Sequence, residues 1–377
     1  MKYIKLWIAT LVIITLLCGT LVSCAPSSSP PSNGGNGVSE DGVSEFEVIR
    51  QAADVYLSSG KADDTIEGQE VWDILTDGNK ANDPYIMSIR RNSHYTIGHI
   101  CGAIRFPWRS FFMDDYFSQL PPKEENIVLY SYSGHNGGKA TAILNMMGWD
   151  VINLQWGFTV WFLCPFTAPG LFRSSVNGGV GQNYRTETTD NKPTEEYPLP
   201  VVENTDSEDK LEIIRAAADI WRRSEVYSPA MFRGIQVPDI EAKDLYTLMI
   251  DGNPANDPFI LDVREPELYA KGHILGAINI PLTEVAKPDN LRKLPPDRLI
   301  VTVSNDGMSG SQVMAILNIL GYEANNLLFG MTAWTRDEDI APGRFEDKYP
   351  GTLDLKDILD LPFCWGDEPG NYDKFNQ

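Results

Sequence analysis

The sequence predicts an α/β protein in which one domain, built on a mostly parallel sheet, occurs twice. The first observation is an internal repeat. Residues 77–108 recur at 251–282, and 17 of the 32 aligned positions are identical with no gap. A period this long, occurring only twice, is typical of two copies of a domain rather than of a solenoid. The second observation is that short apolar strands alternate with helical patterns in both copies, as in parallel sheets covered on both faces.

Both copies show the same order of predicted elements. An opening helix and a second helix precede a short apolar strand. A further strand then runs into a Gly/Ser-rich loop, a helix that ends at a glycine, and a last strand followed by Gly and Trp. These elements fall at 46–53, 71–75, 85–89, 126–131, 139–147 and 157–161 in the first copy, and at 211–218, 245–249, 259–263, 299–304, 311–320 and 330–334 in the second.

The first residues indicate processing rather than fold. Two lysines precede an apolar run that is short for a membrane span, which predicts a signal peptide over 1–23. Residues 21–24 resemble a bacterial lipobox, which implies cleavage before Cys24 and lipidation of that residue. An ordinary signal peptide with a chance cysteine and an uncleaved anchor are the alternatives. Residues 24–45, rich in Ser, Pro, Gly and acid, are predicted to be a disordered tether. The expected location is extracytoplasmic, attached to the bacterial membrane through Cys24.

The remaining chain suits two domains, which we place at 46–200 and 209–349, joined by a linker at 201–208. The tail 350–377 repeats nothing, and its residues 353–361 are expected to form a helix on the second domain. The net charge of −21 makes nucleic acid an unfavourable partner, because an acidic surface gains nothing from counterion release.

The cysteines show no metal-like spacing, and neither a metal nor a cofactor is expected. Cys24, Cys101, Cys164 and Cys364 follow the apolar run. Lipidation of Cys24 would leave three cysteines. A disulfide between Cys164 and Cys364 is then an alternative in an oxidising compartment. Cys101 lies in an apolar stretch and is interpreted as a buried small hydrophobic residue.

A set of motifs that occurs twice carries a family resemblance. The first copy contains Arg90, Gly98-His99-Ile100, Gly102-Ala103-Ile104 and Pro107, and the second contains the fuller Asp262-Val263-Arg264, Gly272-His273-Ile274, Gly276-Ala277-Ile278 and Pro281. This pattern resembles the rhodanese (thiosulfate sulfurtransferase) superfamily over roughly 65–170 and 238–345. The resemblance implies two rhodanese-like domains, each a mostly parallel five-stranded sheet flanked by helices.

In active members of that family, the loop after the central strand holds a cysteine in a cradle of backbone N–H groups at a helix N-terminus. The cradle lowers the thiol pKa, and the thiolate carries sulfur as a persulfide. In this sequence the cysteine positions are Ser131 and Ser304, and a serine hydroxyl cannot form a persulfide. The family's basic loop residue is replaced by Asn136 and Ser309. No catalytic residue is therefore assigned in either loop.

The glycines of both loops are kept, so the cradles are expected to persist as weak anion-binding loops. The residues assigned to them are Ser131, Gly134, His135, Asn136, Gly137, Gly138, Ser304, Gly307, Ser309 and Gly310. Lys139 opens the helix of the first loop, where it could add positive charge toward an anion or be solvated. A Ser131/His135 nucleophile pair lacks an acidic orienting group in the sequence.

The resemblance implies structural roles for His99 and His273, which are expected to hydrogen-bond the backbone near the strand junction. Residues two apart on a strand point to the same face. Asp262 and Arg264 are therefore expected to share a polar network, whereas Ser88 leaves Arg90 in need of another acceptor.

The leading hypothesis is a membrane-anchored lipoprotein with two rhodanese-like domains, acting as a non-catalytic binding or scaffold module. Its partner would be a small anion or an extracytoplasmic protein. The alternative is an active sulfurtransferase that uses a displaced thiol such as Cys101.

Overall fold

The computed structural model describes residues 43–162, 182–202, 205, 207–227, 239–342 and 359–370. The predicted signal peptide, the lipidation site Cys24, nearly all of the tether, and Cys164 lie outside the described residues. Within the part of the chain that is described, no helix combines the length and apolar character that a membrane span requires.

Two five-stranded parallel sheets form the framework, as predicted. In the first sheet, the strands β1 (Thr65–Ile66), β2 (Tyr85–Ser88), β3 (Ile104–Arg105), β4 (Asn126–Tyr130) and β5 (Asp150–Leu154) lie in the order β1-β5-β4-β2-β3. The second contains β7 (Asp239–Ile240), β8 (Phe259–Asp262), β10 (Ile278–Asn279), β11 (Ile300–Val303) and β12 (Ala324–Leu327) in the equivalent order. Between them in sequence is β6 (Thr186–Glu187), which pairs antiparallel with β9 (His273–Ile274). Nearly every residue of the central strands is buried, because helices cover both faces.

The helices follow the predicted order in both halves. They are α1 (Glu45–Ser58), α2 (Gly68–Thr76), α3 (Asn92–Tyr95), α4 (Asp114–Phe117), α5 (His135–Met146), α6 (Gly157–Trp161), α7 (Lys210–Tyr227), α8 (Ala242–Ile250), α9 (Pro266–Lys271), α10 (Pro288–Leu291), α11 (Met308–Ile319) and α12 (Gly330–Trp334). Short 3-10 turns lie at Lys61–Asp63, Trp108–Ser110 and Leu282–Glu284. We call residues 65–161 domain 1 and residues 239–334 domain 2.

The helices that open the two halves, α1 and α7, cross over to the opposite domain. The Arg50 guanidinium on α1 donates to the carbonyl of Ala286 in domain 2 at 3.0 Å. At the equivalent place on α7, Arg215 donates to the carbonyl of Phe112 in domain 1 at 2.7 Å. Each opening helix therefore packs against both domains, and the two halves share one large apolar cluster.

The segments that follow the two domains also cross over. After domain 1, residues 182–191 run along domain 2, where the Trp334 indole donates to the carbonyl of Arg185 at 3.1 Å. After domain 2, residues 359–370 run along domain 1, where the Trp161 indole donates to the carbonyl of Pro362 at 3.0 Å. The expectation that the tail packs on the second domain is wrong for these described residues. They form no helix, and Leu361 is buried in the apolar cluster of domain 1.

The tail also corrects the interpretation of the cysteines. Cys101 forms a disulfide with Cys364, 263 residues later. The backbone of Cys364 pairs with His99 as an isolated antiparallel bridge, which brings the two sulfur atoms together. Cys364 is thus unavailable to Cys164, and Cys101, although buried, is not a free thiol. The local sequence around Cys101 could not show this, because its partner lies at the far end of the chain.

Candidate functional site

The two loops that the sequence singled out follow the central strands of their sheets. Residues 131–134 connect β4 to α5, and residues 304–307 connect β11 to α11. Gly134 and Gly307 adopt positive φ angles of 90° and 87° at the starts of these helices, a conformation that favours glycine. Ser131 and Ser304 are the first residues of the loops, at the positions where the family resemblance implies a cysteine.

Both serine hydroxyls close their own loop. The Oγ of Ser131 accepts a hydrogen bond from the N–H of Gly134 at 3.1 Å, and the Oγ of Ser304 accepts one from the N–H of Gly307 at 3.0 Å. Both serines are buried. One amide of each cradle is thus already satisfied by the residue that replaces the nucleophile.

The two loops face each other across the boundary between the domains. The Ser311 hydroxyl on α11 donates to the carbonyl of His135 at 2.9 Å. The Nε2 atom of His135 lies 3.3 Å from the carbonyl of Asp306, and its imidazole packs edge-on against the ring of Phe329 at a centroid distance of 4.8 Å. His135 therefore bridges the first loop to the second.

Glycine makes this close approach feasible. A Cβ on Gly307 would lie 2.9 Å from Nε2 of His135, and one on Gly138 would lie 2.6 Å from the Ser311 hydroxyl. Both distances are shorter than real Cβ contacts, so a side chain at either position would push the loops and helices apart. The glycines that the sequence assigned to anion cradles also serve the contact between the domains.

The structure brings the ten predicted loop residues together at this boundary and leaves little of them accessible. Two are half-buried, Asn136 and Ser309, and the others are buried: Ser131, Gly134, His135, Gly137, Gly138, Ser304, Gly307 and Gly310. The weak anion site expected there stays a prediction. Binding would have to compete with the contacts that the two loops make with each other.

His135 is held neutral in this setting. Burial lowers the pKa of its imidazole to about 4, and the carboxylate of Asp239 offsets only part of that effect. Its Nδ1 atom lies 2.9 Å from the hydroxyl of Ser133 rather than near Ser131. The arrangement thus provides no Ser131/His135 nucleophile pair.

Lys139 does not meet solvent, so the interpretation of this residue as a solvated lysine is wrong. Its side chain is fully buried, and its Nζ atom lies 2.9 Å from a carboxylate oxygen of Asp239 in domain 2. A second bond joins Nζ to the Oδ1 of Asn136, and the Asn326 amide donates to Asp239 at 3.0 Å. Burial lowers the pKa of Lys139, and Asp239 opposes that effect. The ammonium neutralises a carboxylate of the protein itself.

Sequence reasoning missed Asp239, together with Gln312 at the position on α11 that corresponds to Lys139. The side-chain amide of Gln312 donates to the carbonyl of Ala62 at 2.7 Å, and its oxygen accepts from the Tyr56 hydroxyl. Polar residues at buried positions of α5 and α11 were the only signal. They point to partners across the boundary but do not identify them.

The Asp-x-Arg motif forms the expected network in domain 2. Arg264 donates through Nη2 to Asp262 at 2.7 Å and to the carbonyl of Gly272 at 2.8 Å. In domain 1, Arg90 donates to the carbonyls of Gly98 and His94 at 2.8 and 3.0 Å, and its guanidinium lies over the Phe158 ring at 4.0 Å. The bond to Gly98 corresponds to the bond from Arg264 to Gly272, whereas Ser88 stands where the second domain has Asp262.

The paired histidines lie away from the loops and contact backbone. The Nδ1 of His99 is 2.9 Å from the carbonyl of Tyr95, and that of His273 is 2.8 Å from the carbonyl of Tyr269. Each imidazole also stacks on the ring of the tyrosine whose carbonyl it contacts. In the described ranges, no three His, Cys, Asp or Glu side chains converge as a metal site would require.

Comparison with known proteins agrees with this geometry. The family model for the rhodanese-like domain matches residues 67–164 and 241–337, just over half of the chain. The adenylyltransferase and sulfurtransferase uba4 of Ogataea parapolymorpha is 31% identical over 83 residues, which cover 22% of this chain and 21% of that protein. The thiosulfate sulfurtransferase PspE of Escherichia coli is 39% identical over 64 residues, which cover 16% of this chain and 60% of that protein.

Among solved structures, a thiosulfate sulfurtransferase from Pseudomonas aeruginosa is 18% identical, with a TM-score of 0.27. The match covers 74% of this chain and 46% of that protein. Of the two relatives compared by sequence, the chain spans about a fifth of uba4 and three fifths of PspE.

Proposed function

The chain belongs to the family of rhodanese-like domains, and from that premise we propose that it is a non-catalytic member that acts as a binding or scaffold module. The observation that carries the proposal is the state of the two loops. Ser131 and Ser304 replace the sulfur nucleophile, and each hydroxyl accepts an N–H bond from its own cradle. The loops also contact each other through His135, and both serines are buried.

The disulfide supports this proposal against the alternative. A displaced thiol would have to be free and close to a loop in order to accept sulfane sulfur. The sulfur of Cys101 is bonded to Cys364, on the side of domain 1 where the tail docks. Cys101 therefore offers no thiolate while the disulfide is intact.

An assay of sulfur transfer from thiosulfate to cyanide tests the proposal. We expect the purified protein to show no turnover above a buffer blank, in both the oxidised and the reduced state. Activity that appears on reduction and disappears in Cys101→Ser would establish the sulfurtransferase instead. The Cys364→Ser variant is the matched control, because it frees the Cys101 thiol without a reductant.

We further propose that the module is held at the outer face of a bacterial membrane by lipid on Cys24. What supports this is the lipobox-like sequence at 21–24 followed by the Ser/Pro/Gly-rich stretch. The N-terminal peptide of membrane-extracted protein should carry acyl mass, and Cys24→Ala should abolish it. An unmodified N-terminal peptide in the wild-type protein would exclude the anchor.

A further inference from the structure

The crossed arrangement of α1 and α7 creates two equivalent grooves, and the chain itself fills one of them. The filled groove, which we call the second groove, lies between the C-terminal end of α11, the outer side of α7 and the start of α1. A Cβ on Gly321 would lie 3.0 Å from the side chain of Pro200. Leu199 and Val202 pack against the shared core cluster. A few residues later, the N–H of Thr205 donates to the carboxylate of Glu45.

The first groove has the same walls and no such segment of the described chain in it. It lies between the C-terminal end of α5, the outer side of α1 and the start of α7, with a volume of about 630 Å³. Its lining includes Val48, Ala52, Val55, Met147 and Leu211. Val55 is 75% exposed, whereas its counterpart on α7, Ile220, is half-buried.

The stretch that precedes α1 at the equivalent distance is not apolar. Leu199-Pro200-Val201-Val202 begins eleven residues before α7. The residues that stand equally far before α1 are Gly34, Gly35, Asn36 and Gly37. None of them carries an apolar side chain, so this sequence cannot replace the contacts that Leu199 and Val202 make on the other side.

We propose that the first groove binds an extended peptide of proline and aliphatic residues from a protein partner. The occupant of the second groove defines this chemistry, because equivalent walls should accept an equivalent peptide. Proline favours the extended conformation before binding, which reduces the entropy lost on docking. Exposed apolar surface of this kind is what a docking site supplies.

A fluorescein-labelled peptide with the sequence Pro-Leu-Pro-Val-Val-Glu-Asn, taken from residues 198–204, is the probe. Titration of the purified protein should raise its anisotropy with a Kd on the order of 10–100 μM, as expected for a short peptide in an open groove. Val55→Glu should weaken binding at least tenfold, because it places a charge in the groove. Ile250→Glu is the matched control at another exposed apolar residue, 61% exposed on α8, and should leave binding unchanged.

Three outcomes would overturn the proposal. Binding that Val55→Glu leaves unaltered would place the peptide elsewhere, including the second groove. No anisotropy change up to about 1 mM protein would mean that the groove does not accept this chemistry. Sedimentation that shows a dimer in the wild-type protein and a monomer in Val55→Glu would identify a second copy as the occupant. None of these results depends on whether the loops transfer sulfur.

Discussion

At the residue scale, the charge of Lys139 is compensated inside the protein by Asp239, a residue of the other domain. The pair is shielded from solvent on both sides, with side-chain exposures of 0% and 7%. A buried ion pair adds little net stability, because desolvation offsets the attraction, but removal of one partner leaves the other charge uncompensated. We therefore expect the pair to favour this arrangement of the two domains over others.

Lys139→Met is expected to reduce the free energy of unfolding by about 3–5 kcal/mol, the usual cost of an unpaired buried charge. The double variant with Asp239→Asn should recover a large part of that loss, since no isolated charge remains. Denaturant unfolding of the single and double variants measures both values. A single variant within about 1 kcal/mol of wild type would contradict the ion pair.

His135 gives the stability a defined dependence on pH. Its folded pKa of about 4 lies below the ordinary value of 6.5. The unfolded state therefore binds more protons between these values, and the free energy of unfolding should fall as the pH drops from about 6.5 toward 4. Between pH 7 and pH 5, we expect a loss on the order of 1–2 kcal/mol from this group.

The His135→Gln variant should lose less stability over the same interval. A residual slope is expected to persist, because burial also lowers the pKa values of His94 and His99. Burial raises the pKa of the neighbouring Asp306 carboxyl, which acts in the opposite direction. Equal slopes in the variant and the wild type would show that His135 is not buried as described.

Residue-level prediction succeeded where the partners are local. Asp262 is the last residue of β8 and Arg264 follows two residues later, so their contact needs no distant partner, although Arg264 lies beyond the strand. Lys139 and Asp239 are 100 residues apart and belong to different domains, and no periodicity relates them. The serines at the expected cysteine positions, Ser131 and Ser304, could be identified from the sequence. The contact between the two loops could not.

At the element scale, the order of helices and strands was predictable, but the assignment of α1 and α7 to domains was not. An amphipathic helix has an apolar face that requires burial, and the sequence does not state against which sheet. The same holds for the segments 182–191 and 359–370. Residues 182–191 follow domain 1 but contact Trp334 of domain 2. Residues 359–370 follow domain 2 but contact Trp161 of domain 1.

The disulfide provides a direct test of how the tail docks. A peptide map under non-reducing conditions should contain Cys101 joined to Cys364, and both should become alkylated only after reduction. Cys364→Ser should make Cys101 reactive toward alkylation once the tail detaches. Detection of Cys101 as a free thiol in the wild-type protein, or of Cys164 joined to Cys364, would contradict the described tail.

At the scale of the whole molecule, the two domains belong to one compact body. The helices α1 and α7 join the apolar cores of both halves, and the loops at 131–138 and 304–310 meet at the boundary between the domains. In this chain the loops contact each other at the boundary between the domains, and we expect binding on the outer surfaces.

The accessibility of a thiol placed at the old nucleophile position tests this claim most directly. Ser304→Cys can be mixed with an aromatic disulfide reagent under native conditions, with Ser93→Cys as the control at an exposed site and the wild-type signal subtracted. We predict that the control reacts within seconds and that Cys at 304 reacts only as fast as the protein unfolds. Reaction of both thiols at similar rates would mean that the loop is open, and would contradict the account.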